Sequence, residues 1–183
     1  MSAASMKGRL LVAVPGMSDP NFARTVVLLL EHGDDGALGV VLNRPSDTMV
    51  GEALPGWETV AAAPAVVFVG GPVAPTGALA LGTAAGEGAG WTSLLGPVGL
   101  LDLSRAPEGA VPDVAQARLF AGHAGWSPGQ LEDEVAAGGW FVLDAEPADA
   151  LATDPDGLWS TVLARQPGRL AWFANCPPDP RVN

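Results

Sequence analysis

The chain has 183 residues, 48% of them hydrophobic, with one cysteine and a formal net charge of −11. That length fills one core and is short for two, so residues 1–183 are expected to form a single domain. Nine scattered Lys and Arg with no basic run argue against direct nucleic-acid binding and against an anionic membrane surface. Cys176 alone allows no internal disulfide framework and fits a reducing, cytoplasmic setting. The early apolar run, residues 10–14, is too short for a signal-peptide core or a membrane span.

In chain order, residues 9–14 (RLLVAV) predict a first strand ended by Pro15-Gly16. Asp19-Pro20-Asn21 is turn chemistry, since Asp and Asn bond their own backbone and Pro fixes φ. Residues 25–30 are aliphatic on both alternate faces, which predicts a central strand buried on both sides. Residues 32–36 then connect it, hairpin fashion, to a strand over 37–42, closed by Asn43-Arg44-Pro45. A short helix within 49–57 is expected to break at Pro55-Gly56. Residues 65–69 predict a strand ended by Gly70-Gly71-Pro72, and 78–81 another. The Gly- and Ala-rich stretch 83–96 has no clear period and reads as a loop. Residues 98–103 predict a strand, and 107–112 irregular structure.

Residues 117–139 carry the densest set of polar candidates. A strand over 118–121 is expected to give way to a turn of small residues, Gly122, Ala124 and Gly125, where another backbone or a ligand can approach closely. Ser127-Pro128-Gly129-Gln130 fits a capping box, with Ser127 as N-cap, Pro128 at N1 and Gln130 reaching back to the N-cap amide. Gly138-Gly139 stops that helix. Residues 140–143 predict a strand, Asp154-Pro155 opens a helix to about Arg165, and 168–174 is a final strand candidate before the tail PPDPRVN. The elements make one sheet-rich domain with two or three helices.

Gly125-x-Ser127-x-Gly129 also matches the nucleophile elbow of α/β-hydrolases. Pro128 removes the N–H that an oxyanion hole takes from the residue after the nucleophile, and both histidines precede the serine, so a cap is the better reading of Ser127. A triad in another order, His32, Asp102 and Ser127, stays open.

Taken together, LLVAVPGMSDPNFARTVVLLLEH, GALGVVLNRP, VGGPV, AGHAGWSPGQLEDEV with its following Gly-Gly-Trp, and DPDGLW resemble the AlgH/YqgE family of bacterial proteins. The similarity runs from about Gly8 to the closing DPRVN and is weakest over 83–96. The resemblance implies an α+β fold in which a mixed, bifurcated β-sheet forms a pseudo-barrel with flanking helices. It brings a label of transcriptional regulator and assigns no catalytic residue, cofactor or ligand. The chain has His123 where an aromatic residue is expected after Gly122, which argues against a family-wide catalytic role for that histidine.

Two accounts compete for each candidate. His32 and His123 are of the type that serves as a general base near neutral pH, and equally of the type that hydrogen-bonds at a hairpin shoulder or in a turn. Asn21, Arg24, Asn43 and Arg44 flank the ends of the central hairpin, where they could line a cleft and an arginine could hold a carboxylate or phosphate. The plainer account has the asparagines capping turns and the arginines pairing locally. Gly122, His123, Ser127 and Gln130 surround a helix N-terminus suited to an anion. Gly70-Gly71 and Gly86-x-Gly88-x-Gly90 lack phosphate-loop spacing. Two histidines and one cysteine without close spacing make a weak metal set, and no metal or cofactor is expected. The six tryptophans read as core and rim. The leading expectation is a non-enzymatic cytoplasmic regulatory or binding protein acting through a protein partner or a small anionic ligand. A small hydrolase using His123 or His32 is the alternative, and a direct DNA-binding regulator a third that the charge opposes.

Overall fold

A computed structural model describes residues 4–85, 88–105 and 114–178. The irregular segment expected at 107–112, Gly86 of the glycine series and the end of the tail (179–183) lie outside the described residues. The strands are β1 (Arg9–Ala13), β2 (Val26–Gly33), β3 (Gly36–Val41), β4 (Pro45–Met49), β5 (Val66–Val69), β6 (Val73–Ala84), β7 (Trp91–Leu95), β8 (Val98–Leu101), β9 (Val114–Trp126) and β10 (Trp140–Asp144). The helices are α1 (Val50–Ala53), α2 (Gln130–Ala136), α3 (Pro147–Ala150), α4 (Leu158–Ala164) and α5 (Leu170–Phe173), with a 3-10 turn at Trp57–Thr59. The fold is α+β, as expected, with a mostly antiparallel sheet curled into a half-barrel.

The main path of the sheet is β10-β1-β2-β3-β9-β6-β8-β7. The fork lies at β9. Its Ala124, Gly125 and Trp126 pair with β3, while Phe120 and Ala121 pair in parallel with β5, which carries β4. Gly70 stands in the crotch, where its carbonyl accepts from Val41 N–H and its own N–H donates to the Ala121 carbonyl, each at 2.8 Å. This is why two glycines follow β5. A Cβ on Gly70 would overlap the Gly122 carbonyl, and one on Gly71 the backbone of His123.

The central hairpin forms as predicted, and residues 25–30 are all buried. Alternate residues of β1 and β2 enter separate clusters. Leu10, Val12, Val26 and Leu28 pack with Leu158, Trp159, Val162 and Leu163 of α4, and Leu11, Ala13, Val27 and Leu29 pack with Leu131, Trp126 and Trp140. Each such fully buried aliphatic side chain contributes roughly 1.5–3 kcal/mol. A third cluster, around Trp57, Leu101 and Leu119, fills the other limb of the fork.

Four expectations need correction. Strand β9 does not end at Ala121 in a small-residue turn; it continues to Trp126, kinked at Gly122, whose φ is +73°. The stretch 83–96 is not all loop, because β7 pairs with β8 there along Trp91, Thr92 and Ser93. Residues 170–173 are helical rather than extended, so Phe173 packs against the Phe141 ring from a helix. Finally, the described residues hold five helices where two or three were expected, three of them a single turn of four residues that leaves almost no periodic signal.

Candidate functional site

Three of the polar residues that flank the hairpin bond the chain's own backbone. Asn43 accepts from Val26 N–H at 3.0 Å and donates to the Arg24 carbonyl at 2.9 Å, tying the start of β2 to the end of β3. Arg44 donates to the carbonyls of Pro20 (2.8 Å) and Ala23 (3.1 Å), and burial lowers its pKa against the pull of Asp19. Arg24, at φ +56°, lies 4.0 Å over the Trp159 ring and donates to the Cys176 carbonyl. Asn21 is exposed, and its N–H donates to Asp19 Oδ1 at 2.9 Å in an Asx turn. Asn43 and Arg44 therefore hold the loop before β2 by its backbone, and Arg24 ties that loop to Cys176.

His32 is bonded at both ring nitrogens. Its Nδ1 accepts from Met6 N–H at 3.0 Å, so Nε2 carries the proton and donates to Glu132 Oε1 at 2.8 Å. Both ring nitrogens are engaged and the side chain is only 2% exposed. Glu132 sits below the usual carboxylate range, first through its own backbone amide and then through His32. His123 is half-buried on β9 opposite Val73. Asp102 accepts from the N–H and hydroxyl of Ser104. The Ser127 hydroxyl donates to Gln130 Oε1 at 3.1 Å. The structure thus brings Ser127 to Gln130 and gives its hydroxyl no histidine partner.

The cap at Ser127 is half right. Gln130 Oε1 accepts from Ser127 N–H at 3.0 Å, the reach-back expected of the capping box. The helix begins later, with Gly129 (φ +78°) as N-cap and no side-chain cap bond, and Ser127 instead closes a turn through its carbonyl to Gln130 N–H. Pro128 and Gly129 favour that turn over a first helical residue. The seven-residue helix then presents Gln130, Glu132, Asp133 and Glu134, a side-chain set that opposes an anion.

Beside this helix opens a cleft of about 480 Å³, lined by Val14, Gly16–Ser18, Asp19, Phe22, Gly125, Trp126, Gln130, Glu134, 137–139 and Trp140. The loop brings Phe22 and Asp19, β9 brings Trp126, β10 brings Trp140, and α2 brings Glu134. Phe22 stacks on Trp126 with centroids 6.2 Å apart, and Trp140 meets both rings edge-on at 5.5 and 6.1 Å. Both indole N–H groups donate to Glu134 Oε2 at 2.9 Å, and Gln130 donates its amide to Oε1 at 3.0 Å. Of the candidate binding residues only Gln130 lines this cleft; the tryptophans were expected as core and rim, and Trp126 and Trp140 are indeed buried. The available signal was two tryptophans bracketing a helix with a carboxylate between them, yet nothing in the spacing says that both indoles turn toward it.

A second cavity of about 480 Å³ lies by α3 and is lined in part by Glu146, Asp149 and Arg165. There Arg165 donates to both Asp149 oxygens, at 2.7 and 2.5 Å, and approaches Glu146 at 3.5 Å, so the charges answer each other. The pairing with Asp149 raises the guanidinium pKa. Arg118 is a different buried cation. It is 1% exposed, donates to the Ala63 and Ala152 carbonyls and lies 4.2 Å over Phe68, and burial pushes it down to about 10.

A family model described as AlgH-like matches residues 10–171. A UPF0301 protein of Streptomyces coelicolor is 50% identical over 98% of this chain and 96% of its own length. Another, from Thermobifida fusca, is 44% identical over 100% and 98%. The crystal structure of protein DIP2367 from Corynebacterium diphtheriae superposes with a TM-score of 0.87 at 36% identity, covering 94% of this chain and 92% of that one. The solution structure of AlgH from Pseudomonas aeruginosa gives a TM-score of 0.69 at 29% identity, with 96% of each chain covered. Sequence and fold agree over almost the whole length, and the chain belongs to the AlgH-like UPF0301 family.

Proposed function

We propose that this protein is a non-enzymatic regulatory binding protein of the cytoplasm whose ligand, or a side chain of a protein partner, enters the cleft between the loop before β2 and helix α2. The observation that carries the reading is the lining itself. Three aromatic rings, backbone and a hydrogen-bonded carboxylate can hold a ligand, and the two histidines and Ser127 that an enzyme reading would use stand elsewhere in other bonds or do not line the cleft. Direct DNA binding is opposed by the net charge of −11.

A thermal-shift panel tests this, with nucleotides, phosphorylated metabolites, amines and a short duplex each run against the wild type and Phe22→Ala. A ligand at about a hundredfold its dissociation constant adds about 2.7 kcal/mol to folded stability. The expected hit stabilises the wild type and loses its effect in the variant. Stabilisation by duplex that fades with salt, or a hit unaffected by Phe22→Ala, would sink the reading.

A further inference from the structure

We propose that this cleft takes an organic ammonium cation, a small amine or quaternary ammonium of about choline size. The inference rests on the cleft reading above and adds the chemical class. The walls are the first ground. Phe22, Trp126 and Trp140 form one packed aromatic wall of the cleft, with both tryptophans buried and Phe22 half-buried, and an aromatic ring face attracts an ammonium through its quadrupole.

The second ground is Glu134. Its three donors, the Trp126 and Trp140 indoles and the Gln130 amide, are all neutral. Among the described residues it takes part in no ion pair, whereas Asp149 in the second cavity is met by Arg165. A carboxylate adds a negative charge beside aromatic walls, and partly buried charge favours a partner of opposite sign. The third ground is the charge of the lining, where Asp19, which also acts on Arg44 outside it, adds a second carboxylate and no Lys or Arg lines the cleft. An anion would meet two like charges there; a cation meets two carboxylates and an aromatic wall. The volume of about 480 Å³ suits a small molecule.

The test is a titration of uniformly ¹⁵N-labelled protein with choline and, in parallel, with 3,3-dimethylbutan-1-ol, which has the same shape without the charge. The readout is the indole N–H resonances of Trp126 and Trp140, assigned by Trp→Phe substitution. Choline is expected to shift both indoles saturably, with the alcohol about tenfold weaker. Glu134→Gln should weaken choline severalfold. Because Glu134 also holds the indoles, Asp19→Asn serves as the second variant: Asn Oδ1 can still accept from Asn21 N–H, so the turn survives and only charge is lost. It should weaken choline and leave the alcohol unchanged. Equal binding of the two probes overturns the cation class while the cleft reading stands. No shift at either indole from either probe overturns both. Unchanged choline affinity in Asp19→Asn and Glu134→Gln also overturns the proposal.

Discussion

At the scale of single residues, the side chains expected to carry chemistry mostly hold backbone. Asn43 and Arg44 between them bond Val26, Arg24, Pro20 and Ala23, and so keep the loop that presents Phe22 and Asp19 in register with β3. Ser127 and Gln130 make a sharper case, because the capping-box reading and the structure predict opposite mutants. A true serine cap is worth about 1 kcal/mol. Here the Ser127 hydroxyl only donates to Gln130 at the surface, whereas Gln130 holds both the Ser127 amide and Glu134. Ser127→Ala should therefore change stability by less than about 0.5 kcal/mol, and Gln130→Ala should cost about 1 kcal/mol. Urea denaturation of the two variants decides it, and a larger loss for Ser127→Ala would restore the serine cap.

At the scale of elements, what could be read from the chain was whatever rests on local pattern. The β2–β3 hairpin has two aliphatic runs around a Gly-Asp-Asp-Gly connection, and its strands pair as the pattern says. The length of β9 was not legible, because Gly122 and Gly125 look like a turn when only neighbours along the chain are considered. For Gly122 the reason is across the chain. Gly122 lets β9 kink where Gly71 crosses it, and a Cβ there would overlap the Gly71 carbonyl. The kink also changes which cluster the strand feeds: Phe120 faces the α4 side, while Ala124 and Trp126, at the same parity, face the α2 side. Such a reversal needs a break in the pleat. Gly122→Ala combines positive φ with a backbone overlap and should cost about 3 kcal/mol or more. Gly129→Ala, also at positive φ but with open space around it, should cost about 1 kcal/mol. Equal losses in thermal denaturation would mean that the crossing is looser than the structure has it. The helix α5 was missed for a related reason, since residues 168–174 are apolar enough for a strand and its packing partners, Phe141 of β10 among them, lie elsewhere in the chain.

At the scale of the molecule, the cleft is built by segments far apart in sequence, which is why only Gln130 among its lining residues could be named from the chain alone. Helix α2 is held to the sheet on its apolar side by Leu131 and on its polar side by Glu132, whose bond to His32 joins α2 to the end of β2 while the same imidazole accepts from Met6. That clamp gives the fold an acid-sensitive term whose sign follows from Glu132. Its carboxyl lies below the ordinary value of 4.5 in the folded chain, so the unfolded chain binds its proton first as pH falls. The stabilisation is thus fully present above about pH 4.5 and is lost as pH drops through the lowered folded value. The pair is partly exposed, with Glu132 at 38%, so its contribution is that of a surface interaction. Glu132→Gln should lower the melting temperature by about 1–3 °C at neutral pH. The gap from wild type should then shrink as pH is taken from 5 toward 3. A gap that stays constant over that range would mean that the bond, and not the charge, holds α2 in place.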